Sequence, residues 1–310
     1  MLVNKKTKDK IPVIINCDTG IDDAVAFMFA VKSEKLDIKL VTTDIGNVNT
    51  VRAARNTINI LDLVDSEPVP VCAGDGKYFV KMRPKFSAHG DGGLGTYSFD
   101  KDVGKIDDGD AVDKIYETLK ASPKKITIIS ICPLTNIAKL FTRYPDSKDM
   151  IERLVIMAGT VEEIKKGDMP YPEFNVATDP EAGEVVFKSK VKIDIVPMEM
   201  GHTAYLTYED VFKTKLTNYT GSVLEKIFRG YKDRHVKNGV ATHDGCAVAY
   251  VTDPDIFETK PVYAEVKYYK SIDSGVLTMD FNKEPNCTTC TKVDVQKFIK
   301  LYYKYLKKCK

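Results

Sequence analysis

The chain has 310 residues, a formal net charge of +2 at pH 7 and an apolar fraction of 43%. A chain of this length can bury a large core as one large domain or two small ones. The balanced charge gives no attraction for nucleic acid, no stretch has the apolar length of a membrane span, and the charged N-terminus lacks the apolar core of a signal peptide. Seven scattered cysteines indicate reduced thiols in a cytoplasmic protein rather than a disulfide scaffold.

Strand-like and helix-like segments alternate along the chain. Apolar runs predict strands at Ile11–Cys17 and at residues 38–43, 69–73, 126–131, 154–157 and 191–197. Helical patterns occur at residues 24–31, 50–64, 111–121, 134–141, 223–238 and 247–251, and after Asp179-Pro180. This alternation predicts an α/β fold with a single open, mostly parallel twisted sheet and helices on both faces. No repeat or linker is evident, so one domain over residues 1–310 is expected.

The most distinctive segment follows the first predicted strand, where Asp18, Asp22 and Asp23 lie within six residues. In open α/β sheets, ligands bind at the carboxyl ends of the strands. Crowded carboxylates repel one another and are costly to desolvate, and a hard cation with oxygen ligands stabilises them. The cluster therefore predicts a metal site. As an alternative, Asp22 caps the following helix and Asp23 complements its dipole, which leaves Asp18 unexplained.

Two stretches without regular structure interrupt the alternation, at residues 74–110 and 159–178. Loops of this length in a compact domain are usually functional or disordered. The first contains His89 within a glycine-rich run, and the second contains Glu173-Phe174-Asn175. The pair Cys287 and Cys290 is the one C-x-x-C of the chain. It lies in a strand-like segment without a second ligand pair, which favours a structural role over a metal or redox site.

Six short motifs occur in one order along the chain: DTGIDD at 18–23, GNV at 46–48, HG at 89–90, PLTNIA at 133–138, EFN at 173–175 with DPEA at 179–182, and HD at 243–244. In this order they resemble the inosine-uridine preferring nucleoside hydrolases, over nearly the whole chain. The resemblance implies a Rossmann-like nucleoside hydrolase fold and a Ca²⁺-dependent enzyme that hydrolyses ribonucleosides to ribose and free base. It also implies a role in purine and pyrimidine salvage and a homodimer or homotetramer, with a small nucleoside as substrate and neither nucleic acid nor membrane as partner.

The resemblance assigns roles by matching position. The Ca²⁺ ligands would be Asp18, Asp23, Asp244 and the carbonyl of Ile131. The substrate-binding residues would be Asp22 at a ribose hydroxyl, Asn47, Glu173 and Asn175 at the sugar, Phe174 near the ring oxygen, Asp168 near the 5′ end, and His89 and Tyr231 at the base. Asp18 would be the general base on a Ca²⁺-bound water, and His243 would assist the departing base. A carboxylate-rich pocket favours the oxocarbenium-like transition state of this reaction.

Several positions depart from the family pattern. Asn16 stands in place of the usual Asp, Thr19 of a Pro, Glu199 of an Asp, and Cys132 of a Gly. Asn16 makes the site less anionic, and Cys132 would be strained if its position required a positive φ. The nucleobase preference is open, because Tyr231 and His243 favour a non-specific or pyrimidine and inosine profile, whereas Asp44 is placed to reach a purine edge.

Some of these residues are also compatible with a purely structural role. An isolated histidine such as His89 is often a satisfied structural group, and Tyr231 is equally compatible with a packing role. Two other functions are also compatible with parts of the sequence. A Mg²⁺-dependent phosphohydrolase would need an aspartyl nucleophile at position 16, which Asn16 cannot supply. A non-catalytic calcium- or nucleoside-binding protein on the same fold remains the second alternative.

Overall fold

The computed structural model describes residues 10–82, 88–161, 165–166, 169–170, 172–232, 236–269 and 273–310, with the backbone alone for residues 165–166 and 169–170. The strands within these ranges are β1 Ile11–Cys17, β2 Leu36–Thr43, β3 Val71–Ala73, β4 Ile126–Ser130, β5 Ile151–Met157, β6 Lys165–Lys166, β7 Met169–Pro170, β8 Ile193–Val196, β9 Leu206–Thr207, β10 Gly239–Val240, β11 Phe257–Tyr269, β12 Ser274–Asp280 and β13 Cys287–Val293.

Helices connect or cover these strands. They are α1 Asp23–Lys32, α2 Thr50–Leu63, α3 Ala111–Ala121, α4 Thr135–Arg143, α5 Phe174–Thr178, α6 Pro180–Phe187, α7 Met198–Thr203, α8 Tyr208–Thr217, α9 Tyr219–Phe228, α10 His243–Thr252 and α11 Val295–Leu306, with short 3₁₀ turns at Pro145–Met150 and Pro254–Ile256. Within the described ranges, no helix combines the length and the apolar character needed to cross a bilayer.

The main sheet of the described residues has the strand order β12-β11-β13-β8-β5-β4-β1-β2-β3. Within the part β13-β8-β5-β4-β1-β2-β3, each strand is parallel to its neighbours. Strand β11 pairs antiparallel with both β12 and β13. The order is open rather than closed on itself, so the predicted fold class is confirmed. Because the parallel strands run the same way, their carboxyl ends meet at one edge, where Asn16 lies opposite both Thr42 and Ser130.

The central strands are buried on both faces, as their nearly continuous apolar sequences predict. Side chains alternate along β1, so Val13 and Ile15 join one apolar core while Ile14 joins the other. Cys290 packs in the first core and Cys287 in the second, on opposite sides of the sheet. The two thiols are therefore separated by the sheet, and the C-x-x-C is structural.

Several predicted boundaries were wrong. The helix expected at residues 223–238 begins earlier and ends at Phe228, so Tyr231 lies beyond it. The third strand begins at Val71 rather than residue 69, and the fourth ends at Ser130. Strands β11 (Phe257–Tyr269) and β12 (Ser274–Asp280) form an antiparallel pair, which the sequence pattern did not predict.

Candidate active site

Three buried carboxylates lie together at the carboxyl edge of the sheet. Asp22, Asp23 and Asp244, the carboxylate triplet, each offer an oxygen within 4.8 Å of the other two. Asp22 and Asp23 stand at the start of α1, and Asp244 lies in the first turn of α10. The Asp244 backbone N–H donates to Asp22 Oδ2 at 3.4 Å, which joins the two helix starts. Packing of α1 against α10 thus brings together residues distant in sequence.

Asp22 and Asp23 stand at the N-cap and in the first turn of α1, but capping and the helix dipole do not account for all of their contacts. Asp22 precedes α1, but its side chain makes no capping hydrogen bond. Asp23 Oδ2 accepts the Gly20 N–H at 2.6 Å, whereas Asp23 Oδ1 is buried and accepts no hydrogen bond. A buried carboxylate oxygen without a donor is costly unless a cation or a proton neutralises it.

The electrostatics of the triplet indicate the same need. Burial raises the pKa of Asp23, and the neighbouring charge of Asp22 raises it further. Burial and then the charges of Asp22, Asp23 and Asp18 raise the pKa of Asp244 well above its usual range. A divalent cation that prefers oxygen ligands stabilises the ionised form of buried carboxylates that repel one another. The donor set therefore fits a hard cation such as Ca²⁺.

Asp18 lies beside the triplet but outside its 4.8 Å grouping. It follows β1 directly and is 1% exposed. Its Oδ2 accepts the Asn47 N–H at 2.6 Å, so the loop after β2 holds the carboxylate. Gly46 allows this approach, because a Cβ at that position would lie 1.8 Å from Asp18 Oδ2. Asp18 is thus a buried, oriented carboxylate next to the oxygen donors of the carboxylate triplet, which fit a hard cation.

Ile131 lies at the same edge, immediately after β4. Its N–H donates to the Asn16 carbonyl at 2.9 Å, and the residue is buried. The next residue, Cys132, does not have a positive φ. The backbone strain expected for a cysteine at this position is therefore absent.

The residues expected at the sugar lie on or next to α5. Glu173 caps this helix: its Oε1 accepts the Asn175 N–H at 2.7 Å, and its Oε2 accepts the Gly159 and Val176 N–H groups at 3.1 and 3.2 Å. Burial raises the pKa of Glu173. Asn175 Nδ2 donates to the Met157 carbonyl at 3.1 Å. The carboxylate thus orders the backbone of α5, a role that the sequence reasoning missed.

Two other residues were predicted at the sugar, Phe174 and Asp168. Phe174 is half-buried at the first position of α5. Asp168, expected near the 5′ end of the sugar, lies outside the described residues.

His89 stands over the turn between Asp18 and α1. Its Nδ1 accepts the Ile21 N–H at 2.9 Å, which places the proton of the neutral ring on Nε2. Asp22 Oδ1 lies 3.8 Å from the same nitrogen; we assign the neutral tautomer because the backbone N–H needs an acceptor. Tyr231 packs edge-on against the His89 ring, with centroids 5.6 Å apart. Gly20 leaves room for the imidazole, since a Cβ there would lie 2.6 Å from Nδ1.

His243 begins α10, one residue before Asp244. Its Nδ1 lies 3.1 Å from the Met198 carbonyl, and a carbonyl can only accept, so Nδ1 carries a proton and Nε2 is the exchangeable site. His202 packs edge-on against His243, with centroids 4.7 Å apart. Nothing in the local sequence of His202 indicated this contact.

The carboxylate of Asp44 is not available to contact a purine base. It is 2% exposed, its Oδ2 accepts the Asn136 N–H at 2.7 Å, and its Oδ1 accepts the Ile45 N–H at 2.8 Å. Burial raises the pKa of Asp44 to about 7. Both oxygens therefore hold backbone groups, and the one residue that favoured a strict purine preference is a structural residue.

Known proteins are similar to this chain in both sequence and fold. A family model described as inosine-uridine preferring nucleoside hydrolase matches residues 13–300. The non-specific ribonucleoside hydrolase RihC of Escherichia coli is 33% identical over 294 residues, which cover 93% of this chain and 96% of that protein. A purine-preferring ribonucleoside hydrolase from Gardnerella vaginalis superposes with a TM-score of 0.85 at 25% identity, covering 96% of this chain and 98% of that one. A plant nucleoside hydrolase gives 0.86 at 25% identity, covering 96% and 99%.

The open α/β sheet and its acidic edge, taken with these relatives, define an enzyme that hydrolyses the N-glycosidic bond of ribonucleosides. The chain belongs to the inosine-uridine preferring nucleoside hydrolase family. The family resemblance seen in the sequence and the hydrolase class that it implied are confirmed. The relatives favour this class over a phosphohydrolase or a non-catalytic binding protein.

Proposed function

We propose that this enzyme is a Ca²⁺-dependent ribonucleoside hydrolase that accepts both purine and pyrimidine ribonucleosides. The observation that carries the metal assignment is the carboxylate triplet with the buried, unbonded Asp23 Oδ1. Of the triplet, Asp23 and Asp244 would hold the cation together with Asp18 and the Ile131 carbonyl, and Asp22 would bind a ribose hydroxyl. When bound, Ca²⁺ supplies a positive charge that orients ribose hydroxyls and acidifies a water.

The chain's own residues account for the remaining steps. Asp22 is placed to accept a hydrogen bond from a ribose hydroxyl, next to the backbone N–H of Asp244. Asp18, held by the Asn47 N–H, takes the proton of the attacking water. Buried carboxylates around the sugar favour the positive charge that develops in the oxocarbenium-like transition state.

In this proposal the leaving base takes a proton or hydrogen bond from His243. His243 would donate from Nε2 as the doubly protonated imidazolium, because its Nδ1 proton is committed to the Met198 carbonyl. Asn47, Asn175 and Phe174 would line the sugar, with Asp168 at its 5′ end. His89 and Tyr231 would pack beside the base. We expect a broad base preference, because the aromatic rings of His89 and Tyr231 would contact any base without requiring a fixed pattern of hydrogen bonds.

Hydrolysis of inosine and uridine is expected to require the cation. Removing it leaves several buried carboxylates uncompensated and removes the group that orders the ribose. A reducing-sugar assay on both substrates, after treatment with a chelator, should show at least about a 10²-fold loss of turnover. Added Ca²⁺ should restore it, and Na⁺ at equal ionic strength is the control. Full activity in the chelated, metal-stripped protein would contradict the metal assignment.

Ribose hydroxyls are expected to be essential, since Asp22 and the cation both contact the diol in this proposal. Uridine and 2′-deoxyuridine share the same leaving base, so they isolate the effect of the hydroxyl. We expect kcat/KM for the deoxynucleoside to be lower by at least about 10²-fold, because binding at the sugar orients the reacting centre. Comparable kcat/KM for the two substrates would remove the diol contact from the mechanism.

We also propose a cytoplasmic homodimer or homotetramer. The seven cysteines are all free and six of them are buried, which agrees with a reducing compartment. Light scattering on the purified protein tests the oligomeric state, and a monomer at micromolar concentration would contradict it.

A further inference from the structure

Asn16 uses every hydrogen-bonding group of its side chain within the protein. Its Oδ1 accepts from Thr42 Oγ1 at 2.9 Å and from Asn136 Nδ2 at 3.1 Å. Its Nδ2 donates to Ser130 Oγ at 3.2 Å and to Cys132 Sγ at 3.0 Å. The residue has no exposed surface. An amide has two donor hydrogens and two acceptor lone pairs, so this side chain is fully satisfied.

The network fixes which way the amide points. Asn136 Nδ2 also donates to the Thr43 backbone carbonyl at 3.0 Å, and a carbonyl oxygen only accepts. The Asn16 atom that faces the same NH₂ group must therefore be the oxygen, which leaves the Asn16 NH₂ for Ser130 and Cys132. The Cys132 sulfur accepts on this side while its S–H is directed to the Pro133 carbonyl at 3.4 Å.

These contacts hold the peptide that carries the Ile131 carbonyl. Ser130 and Cys132 flank Ile131, and one amide binds both of their side chains. The Asn16 backbone carbonyl accepts the Ile131 N–H at 2.9 Å. Both the backbone and the side chain of Asn16 therefore bind the segment 130–132. Asp18 follows two residues later on the same strand end. The amide is also uncharged, so it adds no further repulsion beside the crowded carboxylates.

We propose that Asn16 is a positioning residue, and that the amide clamp of Asn16, Thr42, Ser130, Cys132 and Asn136 aims the Ile131 carbonyl and Asp18 at the cation. This inference rests on the proposed metal site. Groups behind metal ligands typically change metal affinity about 10- to 100-fold when they are removed. The clamp should therefore set the affinity for Ca²⁺ more than the rate of the loaded enzyme.

Two substitutions loosen the clamp from opposite sides. Cys132→Ala removes an acceptor of the Asn16 NH₂, and Thr42→Val removes a donor to its oxygen without a change of shape. Cys132→Ser keeps an acceptor in nearly the same place. The matched control is Cys290→Ala, which truncates another buried thiol, 1% exposed, on β13. Circular dichroism and thermal melting identify the variants that fold, so that Thr42→Val can carry the test if Cys132→Ala does not fold.

Calorimetric titration of the metal-stripped proteins with Ca²⁺ alone is the direct measurement. We expect Cys132→Ala and Thr42→Val to raise the Kd for Ca²⁺ by about 10-fold, whereas Cys132→Ser and Cys290→Ala should stay within about 3-fold of the unmodified protein. At saturating Ca²⁺, kcat on uridine should change by less than about 3-fold in Cys290→Ala, which lies outside the clamp.

Two results would overturn the clamp. Kd values within about 2-fold of the unmodified protein for both loosening variants would remove it, and so would an equal weakening in Cys290→Ala. If instead the unmodified protein bound no Ca²⁺, the metal assignment itself would fall, and the clamp with it. The first two outcomes leave the proposed function intact, so the two failures are distinguishable.

Discussion

Replacing Asp18 by Asn is expected to lower kcat by at least about 10³-fold, because the amide cannot take a proton from the attacking water and is a weaker metal ligand. The change keeps the size of the side chain. An oxygen of the new amide can still accept the Asn47 N–H, which holds Asp18 Oδ2 at 2.6 Å in the unmodified enzyme. The fold and the loop after β2 should therefore be retained. The measurement is kcat on uridine and inosine at saturating Ca²⁺.

The Ca²⁺ titration separates the two roles assigned to Asp18. If the loss came only from weaker metal binding, a higher Ca²⁺ concentration would restore turnover; if Asp18 is the base, the loss persists at saturation. Asp37→Asn is the matched control, because Asp37 is a partly exposed carboxylate near the opposite end of the neighbouring strand β2. It should keep normal kinetics. Near-normal turnover by the Asp18→Asn variant would exclude Asp18 as the general base.

The parallel part of the sheet was predictable because its strands are buried on both faces. Apolar runs such as that of Ile11–Cys17 are unmistakable, and each is followed by a helical pattern. The antiparallel pair of β11 and β12 gave no comparable pattern. Strand β11 is exposed at several positions and contains Pro261, which lies where β11 pairs with β13 but not with β12. Its pairing depends on neighbours that a local pattern does not contain.

The acidic site was only partly predictable, for a related reason. Strand-end geometry was enough to expect Asp18, Asp22 and Asp23 at one edge. Asp244 joins them from 222 residues beyond Asp22, through packing of α1 on α10, and only the family resemblance indicated it. Sequence spacing also could not show that Asp22 shares the triplet while Asp18 is held by the loop at Asn47.

The hardest residues to assign were polar side chains that could either contact substrate or bind the protein backbone. Asp44 and Glu173 both looked like candidates for substrate contact, but their oxygens accept backbone N–H groups. A carboxylate in a loop has no sequence feature that separates these two uses, because the donors come from distant segments. Asn16 and Cys132 likewise appeared as unrelated departures from the family pattern, and the structure shows that they are hydrogen-bonded to each other.

His243→Ala is expected to discriminate among leaving groups. The proton on Nδ1 is held by the Met198 carbonyl at 3.1 Å, so the acid form is the doubly protonated imidazolium, which donates its Nε2 proton to the departing base. Loss of a general acid typically costs about 10²–10⁴-fold, and we expect a loss of this size in kcat on inosine and uridine. With p-nitrophenyl riboside the effect should be small, because nitrophenolate leaves as a stable anion without a proton.

The competing explanation is that His243 merely positions its neighbour Asp244. In that case Ca²⁺ affinity would fall, and all three substrates would be affected alike until the metal site is saturated. His202→Ala is the matched control, since it removes the imidazole that packs edge-on against His243, 4.7 Å away, and keeps Nε2 in place. This variant should preserve the ratio of inosine to nitrophenyl riboside turnover. Equal losses on inosine, uridine and the nitrophenyl riboside in His243→Ala at saturating Ca²⁺ would exclude the acid role and leave His243 as a residue that orders the start of α10.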